Sequence, residues 1–321
     1  MAYAFGSSAA VAMLFGCAAS QPAVGALRAP QQTSAIAAHA NGTSWVLPEA
    51  KSEDLLYADG GSTYAGDVLM YTFPRGKLVG MLSGLTEPAG MCTDRNGDVW
   101  ITKFVSGGTV TEYAHGGTQP IATLDTAKTL TPQDCSIDAA SGNLAVVGYG
   151  PEKPNVRGRI LVYSGASGTP KTYKVSFGET SFCGYDNQGN LFIDGFGYNE
   201  RPPFVAAALQ TGASTFKQIS FRSGQPSQYP TPVQWDGRYV AIGGPVNIVR
   251  YTIENGIAVE EGSTNLNDVF ELADAWIEGG KIVATDAPNS PPIQIYRYPA
   301  GGDPIEGIDA YGFGVTVSAA K

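Results

Sequence analysis

The segment from Met91 to Ile101 reads Met-Cys-Thr-Asp-Arg-Asn-Gly-Asp-Val-Trp-Ile, and it indicates the fold more clearly than any other part of the chain. Two short runs rich in apolar and β-branched residues flank a turn of the form Asp-x-x-Gly. In such a turn the Asp carboxylate can accept hydrogen bonds from nearby backbone N–H groups, and the Gly can adopt a positive φ. The segment therefore predicts a β-hairpin.

This hairpin pattern recurs along the chain with the period of a propeller blade. Related segments begin at Cys135, Cys183, Val233 and Ala275. Their turns are marked by Asp94, Asp138, Asp186, Asp236 and Glu278, which follow one another at steps of 44, 48, 50 and 42 residues. Repeats of this length indicate propeller blades or solenoid units.

A second hairpin follows the first in each unit. Six such hairpins are centred on Tyr71, Tyr113, Tyr163, Ala208, Tyr251 and Tyr296. Two hairpins per unit predict a four-stranded antiparallel blade.

The first unit has no opening strand of its own, because it begins directly at Asp54. At the other end of the chain, Phe313 to Ser318 has the form of a first strand with no hairpin after it. We therefore predict an all-β, six-bladed β-propeller over residues 51–321, in which the C-terminal strand completes the first blade and closes the ring.

The composition agrees with this fold class. Among 321 residues there are 41 Gly and 21 Pro, too many helix-breaking residues for a helical bundle. The net charge of −9 opposes general binding to nucleic acids, whose phosphates are also negative.

The N-terminus reads as an export signal. Residues 1–27 carry no charged side chain, and a short apolar run ends in Leu14-Phe15-Gly16-Cys17. About 20 apolar residues are needed to span a bilayer, so this run has the size of a signal peptide instead. Leu14 to Cys17 resembles a bacterial lipobox, which implies lipidation of Cys17 after cleavage. The alternatives are an ordinary secretory signal and a disordered start. We assign 1–17 to the signal and 18–50 to a flexible tether.

Two features resemble NHL-type repeats of the six-bladed TolB-like propeller superfamily. One is a strand preceded by Pro-x-Gly, as at Pro88 to Gly90, and the other is a strand of the form Gly-Asp-Val-Trp-Ile, as at Gly97 to Ile101. Leu47 to Tyr57, Tyr113 to Gly117 and Gln234 to Gly237 resemble uncharacterised lipoprotein-like propellers of bacteria. That resemblance implies a fold and an envelope location, but no activity.

The cysteines allow one internal bridge if Cys17 is lipidated. Cys135 and Cys183 both lie three residues before the turn Asp of their units, whereas Cys92 lies two before its own. Equivalent positions on neighbouring inner strands could approach, so we predict a Cys135–Cys183 disulfide. The alternative is that both are small buried apolar residues.

Histidine catalysis is not expected. His39 lies in the tether, and His115 is predicted to be an exposed residue at the tip of an outer hairpin. The predicted fold resembles that of streptogramin lyases, which use a histidine as general base. Neither histidine of this chain falls on a predicted channel-facing strand, so we do not expect that activity.

Four acidic residues stand just before first strands of different blades: Glu87, Asp134, Glu179 and Asp274. Together they would ring one mouth of the channel, where mutual repulsion would favour a bound cation such as Ca²⁺. Gluconolactonase-type lactonases, another resembling family, hold a metal on the axis in this way. The other explanation applies to Asp59 and Asp286, which end second strands: we expect them to cap strands or to accept backbone hydrogen bonds between blades.

Two long loops are the candidate ligand-binding segments. They carry Tyr149, Arg157, Tyr198 and Arg201, aromatic and basic residues that suit a sugar or peptide and suit loop anchoring equally.

These observations lead to two functional hypotheses. The first is a non-enzymatic, monomeric binding or scaffolding propeller of the bacterial cell envelope, with a protein, peptide or glycan partner, no required cofactor, and membrane contact only through the lipid anchor. The alternative is a divalent-metal-dependent lactonase or hydrolase with an acidic channel mouth.

Overall fold

The computed structural model describes residues 42–60, 66–105, 107–126, 130–150, 158–197, 203–286, 292–310 and 312–321. In these ranges the chain forms six β-sheets arranged as the blades of a propeller. The predicted all-β, six-bladed architecture is confirmed.

The blades follow the chain in order. Blade 1 contains β1 (Trp45–Val46), β2 (Leu55–Asp59), β3 (Val68–Thr72), β4 (Leu78–Leu82) and the last strand, β26 (Val315–Ser318). Blade 2 contains β5 (Pro88–Thr93), β6 (Val99–Lys103), β7 (Thr109–Tyr113) and β8 (Pro120–Asp125). Blade 3 contains β9 (Thr131–Ile137), β10 (Leu144–Tyr149), β11 (Gly158–Tyr163) and β12 (Lys171–Lys174).

Blade 4 contains β13 (Phe177–Tyr185), β14 (Leu191–Gly197), β15 (Phe204–Leu209) and β16 (Lys217–Gln218). Blade 5 contains β17 (Ser220–Phe221), β18 (Val233–Trp235), β19 (Val240–Gly243), β20 (Asn247–Glu254) and β21 (Ile257–Asn265). Blade 6 contains β22 (Leu272–Glu278), β23 (Lys281–Asp286), β24 (Ile293–Arg297) and β25 (Glu306–Ile308). Short 3₁₀ helices span Pro48–Ser52 and Ser164–Ala166.

Each blade has an antiparallel four-stranded core, and two blades add an outer strand. In blade 1, β1 pairs antiparallel with β4, and in blade 5, β17 pairs parallel with β21. Because β1 lies at residues 45–46, the sheet includes part of the segment that we assigned to the tether. Of the described residues, none forms a helix long and apolar enough to cross a membrane.

The first-hairpin turns have the predicted chemistry. In four of them the Oδ1 atom of the turn Asp accepts a hydrogen bond from the backbone N–H two residues later: Asp94 from Asn96, Asp138 from Ala140, Asp186 from Gln188 and Asp236 from Arg238. Gly97 and Gly189 adopt φ values of 83° and 77°, which a side-chain-bearing residue rarely does.

The ring closes between the two ends of the chain. Strand β26 pairs antiparallel with β2, in the register Leu55 with Ser318 to Ala58 with Val315. All four residues of β26 are buried. The C-terminal strand therefore forms the innermost strand of blade 1, as predicted.

The apolar core lies between neighbouring blades. One buried cluster joins Leu56 and Tyr71 of blade 1 to Val283 and Ile295 of blade 6. Because each blade packs on both of its faces, strands β2, β3 and β4 are buried at every residue instead of alternating.

Candidate functional site

The innermost strands of the six blades surround an axial channel. A cavity of about 230 Å³ in this channel is lined by Val315 of β26, Thr93 of β5, Ser136 of β9, Gly184 of β13, Gln234 of β18 and Ala275 of β22. Ala139 and Asn187, which belong to first-hairpin turns, also line it. We call the side of the ring that carries these turns the hairpin face.

A second cavity of about 540 Å³ lies at the opposite face, where the chain enters the innermost strands. We call it the mouth cavity. Its walls include Phe313 before β26, Pro88 at the start of β5, and Phe104 after β6. Asp274 and Phe182 line both cavities, so they lie between the mouth and the channel.

Buried carboxylates near the axis accept hydrogen bonds from inner-strand backbone. Asp134 Oδ2 accepts from the N–H of Cys183 in the next blade, at 3.0 Å. Asp274 accepts from Ala275 through Oδ1 and from Val315 in blade 1 through Oδ2, at 2.8 and 2.9 Å. These carboxylates therefore tie the inner strand of blade 3 to that of blade 4, and the inner strand of blade 6 to that of blade 1.

A third carboxylate of this kind, Asp194, was not among the predicted site residues. Its oxygens accept from the N–H groups of Phe182 and Thr231, at 3.0 and 2.8 Å. It lies in the middle of β14 and not before an inner strand, so a search restricted to strand entrances misses it.

Burial strongly affects the ionisation of these groups. Loss of hydration raises the pKa of Asp134 to about 7, although the backbone N–H groups of Cys183 and Cys135 act in the opposite direction. Burial also raises the pKa values of Asp194 and Asp274 well above the ordinary range, and repulsion from Asp134 adds to the effect on Asp274.

The four acids of the predicted metal site are not brought together as one ligand set. Glu87 and Asp274 line the mouth cavity, Asp134 lines the channel, and Glu179 lines neither. Asp134, Glu179 and Asp274 lie inside β9, β13 and β22, not before them. The strands change register beside Asp134 and Asp274, and this irregularity lets their carboxylates reach backbone N–H groups.

One group of three acids does have its carboxylate oxygens within 4.8 Å of one another in the part of the chain that the structure describes. It consists of Asp94, Asp98 and Glu112. It belongs to blade 2 and includes a first-hairpin turn, so it is remote from the mouth. On the axis, the oxygens of Asp134 and Asp274 accept hydrogen bonds from backbone N–H groups.

Asp59 and Asp286 accept backbone hydrogen bonds, as expected, but these hydrogen bonds come from their own blades. Asp59 accepts from Phe313 and Gly314, and Asp286 accepts from Phe270 and Glu271. Both carboxylates fix the segment that leads into the innermost strand of their own blade.

One predicted ligand-binding residue lies beside the mouth cavity. Tyr149, the last residue of β10, packs edge-on against Phe104, with ring centroids 5.6 Å apart. Burial raises the pKa of Tyr149 to about 12. Arg157, Tyr198 and Arg201 lie outside the described residues.

The mouth is formed mainly by residues that the sequence analysis did not select. Phe104, Phe182 and Phe313 supply its aromatic surface, and Gln133 contributes an amide. Aromatic residues occur throughout the strands and their flanking segments, both in the core and in the cavity wall. The sequence alone therefore does not distinguish the residues that line the mouth cavity from those of the core.

The predicted Cys135–Cys183 disulfide is wrong. The bridge joins Cys92 to Cys135, with Cα atoms 5.7 Å apart, and Cys183 is a buried free thiol. Cys135 and Cys183 hold equivalent positions in successive blades, so their side chains point in the same direction around the ring. The sheet of one blade therefore stands between the two sulfur atoms. Residues that meet between blades must come from opposite strand faces, and the one-residue offset of Cys92 provides this.

His115 is not an exposed turn residue. It is half-buried between blades 1 and 2, with Nδ1 2.5 Å from Ser318 Oγ and Nε2 3.1 Å from the carbonyl oxygen of Glu53. Ser318 Oγ in turn donates to the carbonyl oxygen of Gly97. His115 therefore holds the closing strand in place from the neighbouring blade.

No protein-family model and no curated protein matches the chain. Solved structures do share its fold. A protein of unknown function from Bacteroides caccae is 12% identical, with a TM-score of 0.59 over 83% of this chain and 99% of its own. A functionally unknown protein from Desulfotomaculum acetoxidans is 11% identical, with a TM-score of 0.54 over 87% and 89%.

A third similar structure, from Bacteroides fragilis, has been provisionally assigned as a 6-phosphogluconolactonase. It is 12% identical, with a TM-score of 0.52 over 84% of this chain and 98% of its own. At these identities the similarity concerns the fold alone. The chain is a six-bladed β-propeller, and its resemblance to NHL-type and TolB-like proteins stays a prediction.

Proposed function

We propose that this protein is a non-enzymatic binding propeller that takes part of a peptide, protein or glycan partner into the mouth cavity. The observation that carries the proposal is the cavity of about 540 Å³, with three phenylalanine side chains in its wall. Ligand sites typically measure about 300–1,000 Å³ and are lined mainly by apolar side chains with a few polar groups.

Exposed aromatic side chains on the same face support a partner larger than a small molecule. Tyr229, Phe270 and Phe313 are 55, 74 and 53% exposed, and each stands shortly before the innermost strand of blade 5, 6 or 1. We call these three residues the aromatic rim. Exposed apolar groups that gather on one face are characteristic of interaction surfaces.

We further propose that the protein works in the bacterial cell envelope, anchored by lipid on Cys17. The Cys92–Cys135 disulfide supports this location, because disulfides persist mainly in oxidising compartments. Palmitate labelling of the protein expressed in a bacterial host tests the anchor. Label should appear on the wild type and be lost in Cys17→Ser, and an equally labelled variant would refute the anchor.

The alternative function, a divalent-metal-dependent lactonase, receives less support from the geometry. Such a site needs at least three oxygen ligands around one cation, and the axial acids are engaged with backbone N–H groups. Lactone hydrolysis that requires added Ca²⁺, and that Asp274→Asn abolishes in a folded protein, would replace the binding proposal.

Selection from libraries tests the binding proposal even though the partner is unidentified. A random peptide display library and a glycan array are applied to the wild type and to Phe313→Asp, which puts a charge into the mouth wall. The matched control is Ile121→Asp, because Ile121 is similarly exposed, at 55%, but lies on outer strand β8.

We expect enriched ligands that bind the wild type and Ile121→Asp equally and bind Phe313→Asp at least tenfold more weakly. Thermal melts of all three proteins confirm that each is folded. Ligands that bind Phe313→Asp as well as the wild type, or the absence of any enriched ligand, would overturn the proposal.

A further inference from the structure

The cavity of about 230 Å³ in the axial channel, here called the channel cavity, has an entrance of its own. Ala139 and Asn187, two residues that line it, lie in first-hairpin turns and are exposed. The channel cavity is therefore reached from the hairpin face, on the opposite side of the ring from the mouth cavity.

Two half-buried aromatic side chains stand next to each other in its wall. Tyr185 and Trp235 are the last residues of the innermost strands β13 and β18, in blades 4 and 5. These strands approach closely because Gly184 has no side chain: a Cβ atom there would lie 2.6 Å from the carbonyl oxygen of Val233. The close approach brings the phenol and the indole to one side of the cavity.

A third aromatic side chain, Trp276 of blade 6, reaches across the channel. It packs against the apolar cluster between blades 1 and 6 and also against the cluster between blades 2 and 3. Trp276 lines the cavity as well. A ligand that enters from the hairpin face thus meets aromatic side chains of three successive blades, whose rings offer apolar area together with polar N–H or O–H groups.

Two polar side chains in the wall have hydrogen-bonding capacity to spare. Ser136 Oγ accepts the backbone N–H of Tyr185 at 3.0 Å, and its own O–H has no acceptor among the described residues. The side-chain amide of Asn187 has no hydrogen-bond partner in the same part of the chain. A hydroxyl can donate and accept, so hydroxyl groups of a ligand complement both side chains.

The wall offers no free charge to a ligand. No Lys, Arg or His stands among the described residues that line the cavity. Its carboxyl groups, those of Asp134, Asp186 and Asp274, accept hydrogen bonds from backbone N–H groups. A charged ligand would lose hydration here without gaining a partner of opposite charge, so the cavity favours a neutral one.

The volume limits the ligand to a single ring. Sites for drug-sized ligands measure about 300–1,000 Å³, and the channel cavity is smaller, at about 230 Å³. A plain hydrocarbon or aryl ring of that size would leave Ser136 and Asn187 without partners. A ring that carries hydroxyl groups would satisfy them.

We propose that the channel cavity is a second binding site, which takes one neutral, hydroxyl-bearing ring such as the terminal pyranose unit of a saccharide. The C–H faces of a pyranose pack on the rings of Tyr185 and Trp235, and the hydroxyl groups at its edge pair with Ser136 and Asn187. The site goes beyond the proposed function, which concerns the mouth cavity at the other face.

Small saccharides test the inference on the full protein. The probes are the methyl β-glycosides of glucose, galactose and N-acetylglucosamine, and the comparison compounds are cyclohexylmethanol, glucosamine and glucuronate. We expect at least one glycoside to bind with a dissociation constant of about 1 mM, a weak affinity because the ligand is small. The apolar ring and both charged sugars should bind at least tenfold more weakly.

The indole N–H signals in NMR titrations locate the bound sugar. Single Trp→Phe variants assign the four signals. Those of Trp235 and Trp276 should shift on addition of the glycoside. Those of Trp45 and Trp100 should not, because these residues do not line the cavity.

Two variants with matched controls test the wall. Asn187→Ala removes the free amide, Trp235→Leu removes a ring, and each should weaken glycoside binding about three- to tenfold. The controls are Gln188→Ala, at an exposed residue of the same turn as Asn187, and Tyr239→Leu, at a half-buried aromatic residue of the same hairpin as Trp235. Neither control residue lines the cavity, so both should bind like the wild type. If Trp235→Leu does not fold, Asn187→Ala still decides.

Three results would overturn the inference: no glycoside binds, cyclohexylmethanol binds as tightly as the best glycoside, or Asn187→Ala binds that glycoside like the wild type. Phe313→Asp should leave glycoside binding unchanged, and a loss would place the sugar in the mouth cavity instead. In the library selection, ligands weakened by Asn187→Ala belong to the channel cavity, and the remaining ligands decide the proposed function.

Discussion

Aspartate side chains occupy two chemical environments in this propeller. Asp94 and Asp236 are half-buried in first-hairpin turns and accept local N–H groups, a role that the spacing of the repeat predicts. Asp134, Asp194 and Asp274 are buried and accept N–H groups of residues far away in the sequence. One residue type thus serves both local turn formation and contacts between blades.

The cysteines give a prediction at the residue scale. Digestion under non-reducing conditions should yield a cross-linked peptide pair containing Cys92 and Cys135, and Cys183 should react with a thiol reagent only after denaturation. Cys183 is inert in the folded protein because it is buried, and burial also raises the pKa of its thiol well above the ordinary value. Mass spectrometry of the digests checks both points.

Removal of the bridge should also lower stability. The two cysteines are 43 residues apart in the sequence, and for a loop of this length the chain-entropy relation predicts about 4 kcal/mol. We expect Cys92→Ala combined with Cys135→Ala to lose about 2–4 kcal/mol in urea unfolding, and the control Cys183→Ala to keep the cross-link. A cross-linked peptide that contains Cys183 would contradict the structure.

At the scale of elements, strand β26 has the largest influence on the molecule. It pairs with β2, its residue Val315 donates to Asp274, and Val317 accepts from the hydroxyl of Thr93 in blade 2. His115 contacts Ser318 from the same neighbouring blade. A single four-residue strand therefore connects blades 6, 1 and 2.

Deletion of residues 315–321 should open the ring. Burial of Val315 and Val317 contributes about 1.5–3 kcal/mol each, and the deletion also removes the inner neighbour of β2 and the N–H donor to Asp274 Oδ2. We expect a loss above about 5 kcal/mol, comparable with the whole stability of a typical domain. Circular dichroism melts and gel filtration should show an unfolded or aggregated protein.

Two controls keep this prediction specific. Deletion of the exposed Lys321 alone should leave the melting temperature unchanged. A synthetic peptide covering residues 312–321, added to the truncated chain, should restore part of the cooperative melt. A truncated protein that melts within a few degrees of the full chain would show that β26 does not close the ring.

At the scale of the whole molecule, the axis is a zone of buried carboxyl groups. Asp59 of blade 1, Asp134 of blade 3, Asp194 of blade 4 and Asp274 of blade 6 are each at most 9% exposed. The blades pack apolar faces against one another, so polar contacts between inner strands concentrate at the axis. This places both the acidic groups and the two cavities in the centre of the ring.

The buried acids predict how stability depends on pH. The pKa of Asp134 is raised to about 7 by burial, against about 3.9 for an unfolded Asp. Between these values the folded state holds a proton that the unfolded state has lost, so the free energy of unfolding falls as pH rises. The slope for one proton is at most about 1.4 kcal/mol per pH unit.

Urea unfolding at pH 5.0 and 7.5 tests this dependence. Asp134→Asn should start from a lower stability, because its amide N–H₂ faces backbone donors, but it should lose less stability between the two pH values than the wild type. Equal losses in the two proteins would show that Asp134 does not titrate in this window.

Much of the fold followed from local patterns. The Asp-x-x-Gly turns, the blade-length repeat and the unpaired segment at Phe313 to Ser318 each depend on residues close in sequence, and together they predicted the blade number and the ring closure. The disulfide was predicted wrongly, because cysteines at equivalent positions of neighbouring blades point in the same direction around the ring and do not face each other. Phe104 and Gln133 were not selected, because nothing local distinguishes a cavity wall from a packed core.

The six blades are encoded locally, because each hairpin is specified by its turn residues and by the strands that flank them. Three other features became visible only in the folded ring: which cysteines meet, which acids accept backbone N–H groups between blades, and which rings line the mouth cavity. The physical reason is that these contacts join residues of different blades. Their geometry is set by the rotation from one blade to the next, and no short stretch of the chain encodes that rotation.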